Sequence, residues 1–238
     1  ICDIFQYANS QNVPGLLLCA DFKQAFDTLE RNFLISVLKK FNFGHTFIRW
    51  IEVMYNSPMF KVKNNNWVSG AYNLERSVKQ GCSMSASLFV IVVEVLATVI
   101  RKSVNIKGIK MGGMEHKIIQ YADDATICMR DRKSISNTLD VIRNFSDHAG
   151  PRLSMKKTRG IWLGSLKDLG LRMVEDIKFT GNPIKILGVY IGHKQDKCYH
   201  LNWTRRIQAM KKAVTFWQKR NLSLYGKVYV ANTYLLSN

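Results

Sequence analysis

The sequence predicts an α+β fold in which an antiparallel sheet is backed by helices, and three stretches predict it. Apolar residues flank Ala122, Asp123 and Asp124 on both sides, Ile118 and Ile119 before them and Ala125, Ile127, Cys128 and Met129 after. That is the pattern of a β-hairpin with two acids at its turn. Pro14 and Gly15 break the chain ahead of the apolar run 16–20, which reads as a buried strand ending on Asp21. Residues 86–102 are apolar on nearly every face, so this helix belongs beneath the sheet.

The acids give the fold its chemistry. Adjacent carboxylates in a regular strand point to opposite faces, whereas a turn directs both towards one cation. Taken alone, such a pair also fits a solvated acidic turn. Asp21 is the corroboration: a third carboxylate, delivered by a strand end, completes an oxygen-rich site suited to Mg²⁺. Two such ions clamp an in-line phosphoryl displacement, which is polymerase chemistry.

In chain order, residues 4–9 form the end of a helix whose beginning is expected upstream. Asp27 and Glu30 have the spacing of a capping box, followed by Leu29, Phe33, Val37 and Phe41 at helical spacing and a stop at Gly44. Phe47, Ile48, Ile51 and Met54 predict a second helix, and 61–68 a hairpin turning at Asn64, Asn65 and Asn66. Trp67 on that hairpin fits either packing or stacking on a base. Gly81 followed by small hydroxyl residues lets a backbone approach a nucleotide at a helix start; Ser85 fits equally as an N-cap.

Helix 86–102 ends in Arg101 and Lys102, and strand 106–111 leads into a Gly112-Gly113 turn. Ser134 is placed to cap a helix with Ile135, Leu139, Ile142 and Phe145 on one face, closed by Gly150-Pro151. Strands are expected at 161–163 and 184–191. Over 202–220, Ile207, Met210, Val214 and Trp217 share a face, with Arg205, Arg206, Lys211, Lys212, Lys219 and Arg220 around the rest. A basic amphipathic helix fits a membrane surface or a nucleic-acid backbone.

Charge favours the second. Lys and Arg number 35 against 17 acids, a net charge of +18 that points to a polyanionic partner. Cys2, Cys19, Cys82, Cys128 and Cys198 are odd in number, widely spaced and without a CxxC pair, as expected of free thiols in a reducing, intracellular compartment. The most apolar stretch, 88–100, contains Glu94 and falls short of the ~20 residues of a membrane span. No signal peptide is visible; Ile1 in place of Met, and a helix-like run still open at 227–236, suggest a piece of a longer chain.

The residues also carry a family resemblance. Asp21-Phe22-Lys23-Gln24-Ala25-Phe26-Asp27, Lys79-Gln80-Gly81-Cys82-Ser83-Met84-Ser85, Tyr121-Ala122-Asp123-Asp124, the stretch 150–158 and Leu187-Gly188 resemble, in order, the palm motifs of a reverse transcriptase of LINE-type, non-LTR retrotransposons. The resemblance runs from about residue 5 to the C-terminus. It implies a palm with a fingers remnant over 1–192 and the start of an α-rich thumb or connection over 193–238, with the main fingers upstream.

The activity implied is an RNA-directed DNA polymerase that adds deoxynucleotides to a primer 3′-hydroxyl with two Mg²⁺ ions, or Mn²⁺ in their place. Asp21, Asp123 and Asp124 would be catalytic and, with Phe22, metal-holding. Phe22, Phe26, Gln80 and Gly81 would contact the nucleotide, the Phe26 ring excluding a 2′-hydroxyl. Lys157 would protonate the departing pyrophosphate, with Lys156 the alternative register, and Leu187 and Gly188 would support the primer end. Ser83 and Ala86 stand where the family usually has proline.

Expected partners are an RNA template, a DNA primer, deoxynucleoside triphosphates and further polyprotein domains such as an endonuclease, with no membrane, in the nucleus or cytoplasm. Two other readings stay open: a catalytically silent nucleic-acid-binding fragment, and a nuclease using the same ions. For the nuclease, no His or Glu is evident beside the acids as a water-activating base.

Overall fold

The computed structural model describes residues 1–56, 58–73, 82–170 and 172–235. They divide into two compact units, Ile1–Thr180 and Gly181–Asn238. The division falls ahead of the boundary after residue 192 expected from sequence, because the 184–191 hairpin groups with the helices that follow it.

The first unit is α+β and is built on a six-stranded sheet. Its central strand, Gly15–Ala20, pairs antiparallel with Asp124–Met129 on one side and Arg159–Leu163 on the other. Ile118–Tyr121 extends the first side; Ile177–Phe179 and Met173–Val174 extend the second, where Ile177–Phe179 lies parallel to Arg159–Leu163.

Side-chain alternation divides the two faces. Leu16, Leu18, Ala20, Ala125, Ile127, Met129 and Trp162 belong to one core with the helices Arg31–Lys40, His45–Tyr55, Ser85–Lys102 and Lys133–Ala149. Leu16 and Leu18 are fully buried there, each contributing roughly 1.5–3 kcal/mol of transfer free energy. The opposite face carries Leu17, Cys128 and Ile161, buried outside that core. Helix Cys2–Ser10, which buries Ile4, Phe5 and Ala8, contacts the Arg159–Leu163 strand.

Local structure departs from the sequence pattern at several helix ends. The Asp27–Glu30 capping box does not form: residues 24–28 make a turn and the helix begins at Arg31. Packing overrides the local signal here. The Glu30 amide donates to the Ala149 carbonyl at 2.9 Å, and Gly150, at φ +99°, approaches so closely that a Cβ would lie 1.9 Å from the Thr28 carbonyl oxygen.

Ser134 does not cap its helix either. Its amide and hydroxyl both donate to the Asp131 carboxylate at 2.9 Å, so Asp131 supplies the cap. Ser85 lies inside the first turn, buried, with its hydroxyl 3.4 Å from that of Tyr55. The strand expected at 106–111 is confined to Ile109–Met111 and pairs with Met114–His116.

Helix Ser85–Lys102 exceeds the 88–100 stretch, and by length and composition alone it would pass as a membrane span. Its buried Leu88, Phe89, Val92, Val93, Leu96 and Ile100 place it in the core, and Glu94 is paired with Arg101.

In the second unit, Ile184–Ile186 and Val189–Ile191 form a hairpin closed by Leu187 and Gly188. Both turn residues have positive φ, 47° and 85°, the pattern of a type I′ turn. Asn202 clasps the returning strand, its amide oxygen accepting from the Tyr190 N–H and its NH₂ donating to the Tyr190 carbonyl. Helices Gln195–Tyr199, Arg205–Gln218 and Leu224–Val230 follow. Arg220 stacks over Phe216 and Trp217, 4.7 Å from each ring centre, while Ile207 and Met210 remain exposed.

Candidate active site

Two strand registers bring the acids together. Ala20 is the last paired residue of the central strand and lies opposite Ala125. Continued by one residue, the same register sets Asp21 opposite Asp124, on the face of Cys19 and Thr126 rather than in the helix-backed core. Ala122 and Asp123 form the two-residue loop between Tyr121 and Asp124. Of these two, only Ala122 has positive φ (51°), as at the first corner of a type II′ turn, a place that normally takes glycine. The Gln120 side chain holds this loop by donating to the Ala122 carbonyl at 3.0 Å.

Because an alanine bears this strain, Ala122→Gly is expected to stabilise the fold by about 0.5–1 kcal/mol. A melting temperature higher than that of the parent would show it.

A turn ahead of the Arg159–Leu163 strand places Lys157. The ladder of that strand with the central one ends with Cys19 opposite Arg159, and the turn before it, closed by the Lys157 and Thr158 amides on the Ser154 carbonyl, carries Lys157 to Asp21. The Lys157 ammonium is 3.8 Å from Asp21 Oδ2, an oxygen shielded from solvent that accepts no hydrogen bond. Lys156 is exposed, and its carbonyl accepts from Arg159. Of the two lysine registers, Lys157 is therefore the one beside the acids.

Electrostatics follow from this arrangement. Burial first, then the charges of Asp123 and Asp124's neighbour Asp21, raise the Asp124 carboxyl above the usual carboxylate range. Burial likewise pushes the Cys19 thiol to about 11, against a hydrogen bond with Thr126 and with a further push from Asp124. Cys128, deeper on the same face, is pushed to about 12 by burial. Both are inert thiols beneath an acidic rim.

Among the described residues, no three Asp, Glu, His or Cys side chains form a ready-made metal cage. The donor set still fits Mg²⁺, which is held by one or two carboxylates together with substrate phosphates and seldom by an all-protein shell. The unsatisfied Asp21 oxygen and the mutually repelling acids are what such a cation would relieve.

The remaining predicted positions are distributed as follows. Phe22 is buried in the core, so only its main-chain carbonyl is open to a cation. The Asp21 carbonyl accepts from Ser154 N–H at 2.7 Å, and strand alternation turns that of Phe22 to the opposite edge. Phe26 is half-buried and stacks on Phe89 with ring centres 4.4 Å apart. Gln80 and Gly81 lie outside the described residues. Leu187 and Gly188 occupy the hairpin tip of the second unit, where the Leu187 side chain is exposed. Sequence reasoning missed Ser154 and Thr158, the hydroxyl residues that hold Asp21; the only signal was their place beside Lys157 in a turn-forming stretch.

A family model described as reverse transcriptase (RNA-dependent DNA polymerase) matches residues 2–191. The chain belongs to the reverse transcriptase family. Over 196 residues the chain is 27% identical to the transposon TX1 uncharacterized 149 kDa protein of Xenopus laevis, covering 82% of the chain and 15% of that protein. Over 137 residues it is 24% identical to the retrovirus-related Pol polyprotein from type-2 retrotransposable element R2DM of Drosophila melanogaster, covering 58% of the chain and 13% of the relative. These matches to non-LTR element proteins agree with the LINE-type motifs.

The chain thus spans less than a sixth of either relative. Its fold is similar to that of Candida tropicalis telomerase in complex with a fragment of telomeric RNA, with a TM-score of 0.56 at 16% identity over 80% of this chain and 30% of the telomerase chain. The apo Candida tropicalis telomerase gives 0.55 at 14% identity over 80% and 33%.

Proposed function

We propose that this chain carries the catalytic palm of an RNA-directed DNA polymerase that extends a primer 3′-hydroxyl with deoxynucleotides, within a non-LTR retrotransposon protein. One observation carries the reading: the strand register sets Asp21 opposite Asp124, with Asp123 at the adjoining turn and the Lys157 ammonium 3.8 Å from the Asp21 carboxylate.

Bound there, a pair of Mg²⁺ ions, or Mn²⁺ in their place, would supply activation of the 3′-hydroxyl and neutralisation of charge on the leaving pyrophosphate. Asp21 and Asp123 would hold the pair, with Asp124 at its edge and the Phe22 carbonyl as a further oxygen. The backbone supplies preorganisation: Asp124 lies in the sheet, Asp123 in its tight turn, and the Asp21 main chain is bonded to Thr158 and Ser154, so none need reorganise during reaction. As the 3′-oxygen gives up its proton to solvent and bonds to the α-phosphorus while the bond to pyrophosphate breaks, the Lys157 ammonium would give a proton to the departing oxygen.

Phe26, braced by Phe89, would present a ring edge to the sugar and exclude a 2′-hydroxyl. The basic helices after residue 200 would meet nucleic-acid phosphates, and Leu187-Gly188 the primer end. An RNA template is supported by family membership.

The test is extension of a DNA primer on an RNA template by this chain in Mg²⁺. Chelator-sensitive incorporation of deoxynucleotides is the expected result. Duplex binding without any incorporation would instead favour the silent binding fragment.

A further inference from the structure

Asp21 sits where the sheet stops supplying partners. Its strand ends at Ala20, and the next ladder, Phe22–Lys23 with Arg152–Leu153, begins one residue later. A residue between two ladders has an amide and a carbonyl to satisfy by other means. Both find partners in one turn. The Asp21 amide donates to the Thr158 hydroxyl at 3.3 Å, and the Asp21 carbonyl accepts from the Ser154 amide at 2.7 Å.

The turn is closed on itself, because the Lys157 and Thr158 amides both donate to the Ser154 carbonyl, at 3.0 and 2.8 Å. Thr158 is fully buried and Ser154 nearly so, at 0% and 3% exposure, so neither hydroxyl residue serves solvent. Lys157, held between them, projects outward to Asp21.

We propose that Thr158, with the Ser154 amide, is a positioning residue for Asp21: it fixes the main chain from which the metal-holding carboxylate projects and ties the proton-donating Lys157 to the same frame. The inference rests on the polymerase reading given above. Thr158 touches neither substrate nor metal. It acts through Asp21, as partners behind a ligand commonly do, and loss of such partners typically weakens metal binding roughly 10–100-fold. Threonine suits the position because its methyl packs in the buried turn while its oxygen faces an amide that water cannot reach.

The experiment compares the parent with Thr158→Val, which keeps the shape and removes the acceptor, and Thr158→Ser, which keeps the acceptor. Two quantities are read: the rise in melting temperature given by Mn²⁺, and the Mg²⁺ concentration for half-maximal primer extension. T158V is expected to lose most of the Mn²⁺-dependent rise and to need roughly 10–100-fold more Mg²⁺. T158S is expected to restore both, and duplex affinity is expected to be unchanged throughout.

Equal Mn²⁺ and Mg²⁺ responses in T158V and parent would overturn the proposal while leaving the polymerase reading intact. So would a T158V that extends poorly at every Mg²⁺ concentration with an unchanged Mn²⁺ response. A parent that shows neither response would overturn the polymerase reading itself, and this inference with it. Should T158V fail to fold, Thr158→Ala takes its place under the same criteria.

Discussion

Asp21→Asn is expected to lower Mg²⁺-dependent primer extension by a factor on the order of 10³–10⁴, equivalent to about 4–5.5 kcal/mol of transition-state stabilisation. The substitution is nearly isosteric, and the contacts that fix this residue in place run through its main chain, to Thr158 and Ser154. What it removes is one negative charge from the position between Asp124 and Lys157. The fold therefore loses no backbone support, while one of three repelling carboxylates disappears. In chelator the variant should melt close to the parent temperature, since the lost repulsion and the lost ion pair with Lys157 oppose each other and at such partly exposed charges each amounts to about 0–1 kcal/mol. Primer extension and duplex binding measured side by side check the prediction; a variant that extends within tenfold of the parent would remove Asp21 from the chemistry.

Phe26→Val is expected to relax discrimination against ribonucleotides by about 10–200-fold, the range associated with small steric differences in a pocket. The ring is well placed for such a filter because it cannot yield. Phe89, fully buried on the Ser85–Lys102 helix, stacks behind it, so a 2′-hydroxyl would meet a braced surface. The same bracing gives the substitution a structural cost of about 0.5–1.5 kcal/mol beyond lost area, which a lower melting temperature would register. The ratio of kcat/KM for a deoxynucleotide and its ribonucleotide separates the two effects. Instability lowers both values together, whereas loss of the filter raises incorporation of the ribonucleotide selectively. An unchanged ratio would make Phe26 a core aromatic and nothing more.

Most of the site was legible in the sequence because it is made by strand ends and a tight turn, which leave local signatures. Asp21 followed an apolar run behind Pro14-Gly15, and Asp123-Asp124 interrupted an alternating hairpin. Their meeting depended only on the two strands pairing, and the observed register extends to Asp21 and Asp124. What was not legible depends on contacts distant in sequence. The helix expected from Asp27 begins at Arg31 because Gly150 and Ala149 occupy the preceding backbone, and no local pattern announces that approach. Asp131 displaced Ser134 as a cap because one carboxylate satisfies both groups of the serine. Ser154 and Thr158 were passed over since a hydroxyl in a polar stretch resembles any surface residue until its burial is known. Lys157 was chosen over Lys156 by motif alone, whereas in the fold the turn closed on the Ser154 carbonyl brings Lys157 beside Asp21.

The claim on which the account turns is that Asp21, Asp123 and Asp124 jointly attract divalent cations. Electron paramagnetic resonance of free Mn²⁺ during titration of the parent chain and of Asp123→Asn tests it most directly. The account predicts saturable uptake of Mn²⁺ by the parent, displaced by Mg²⁺, and clearly weaker uptake by the variant. Identical binding curves for the two proteins would contradict it.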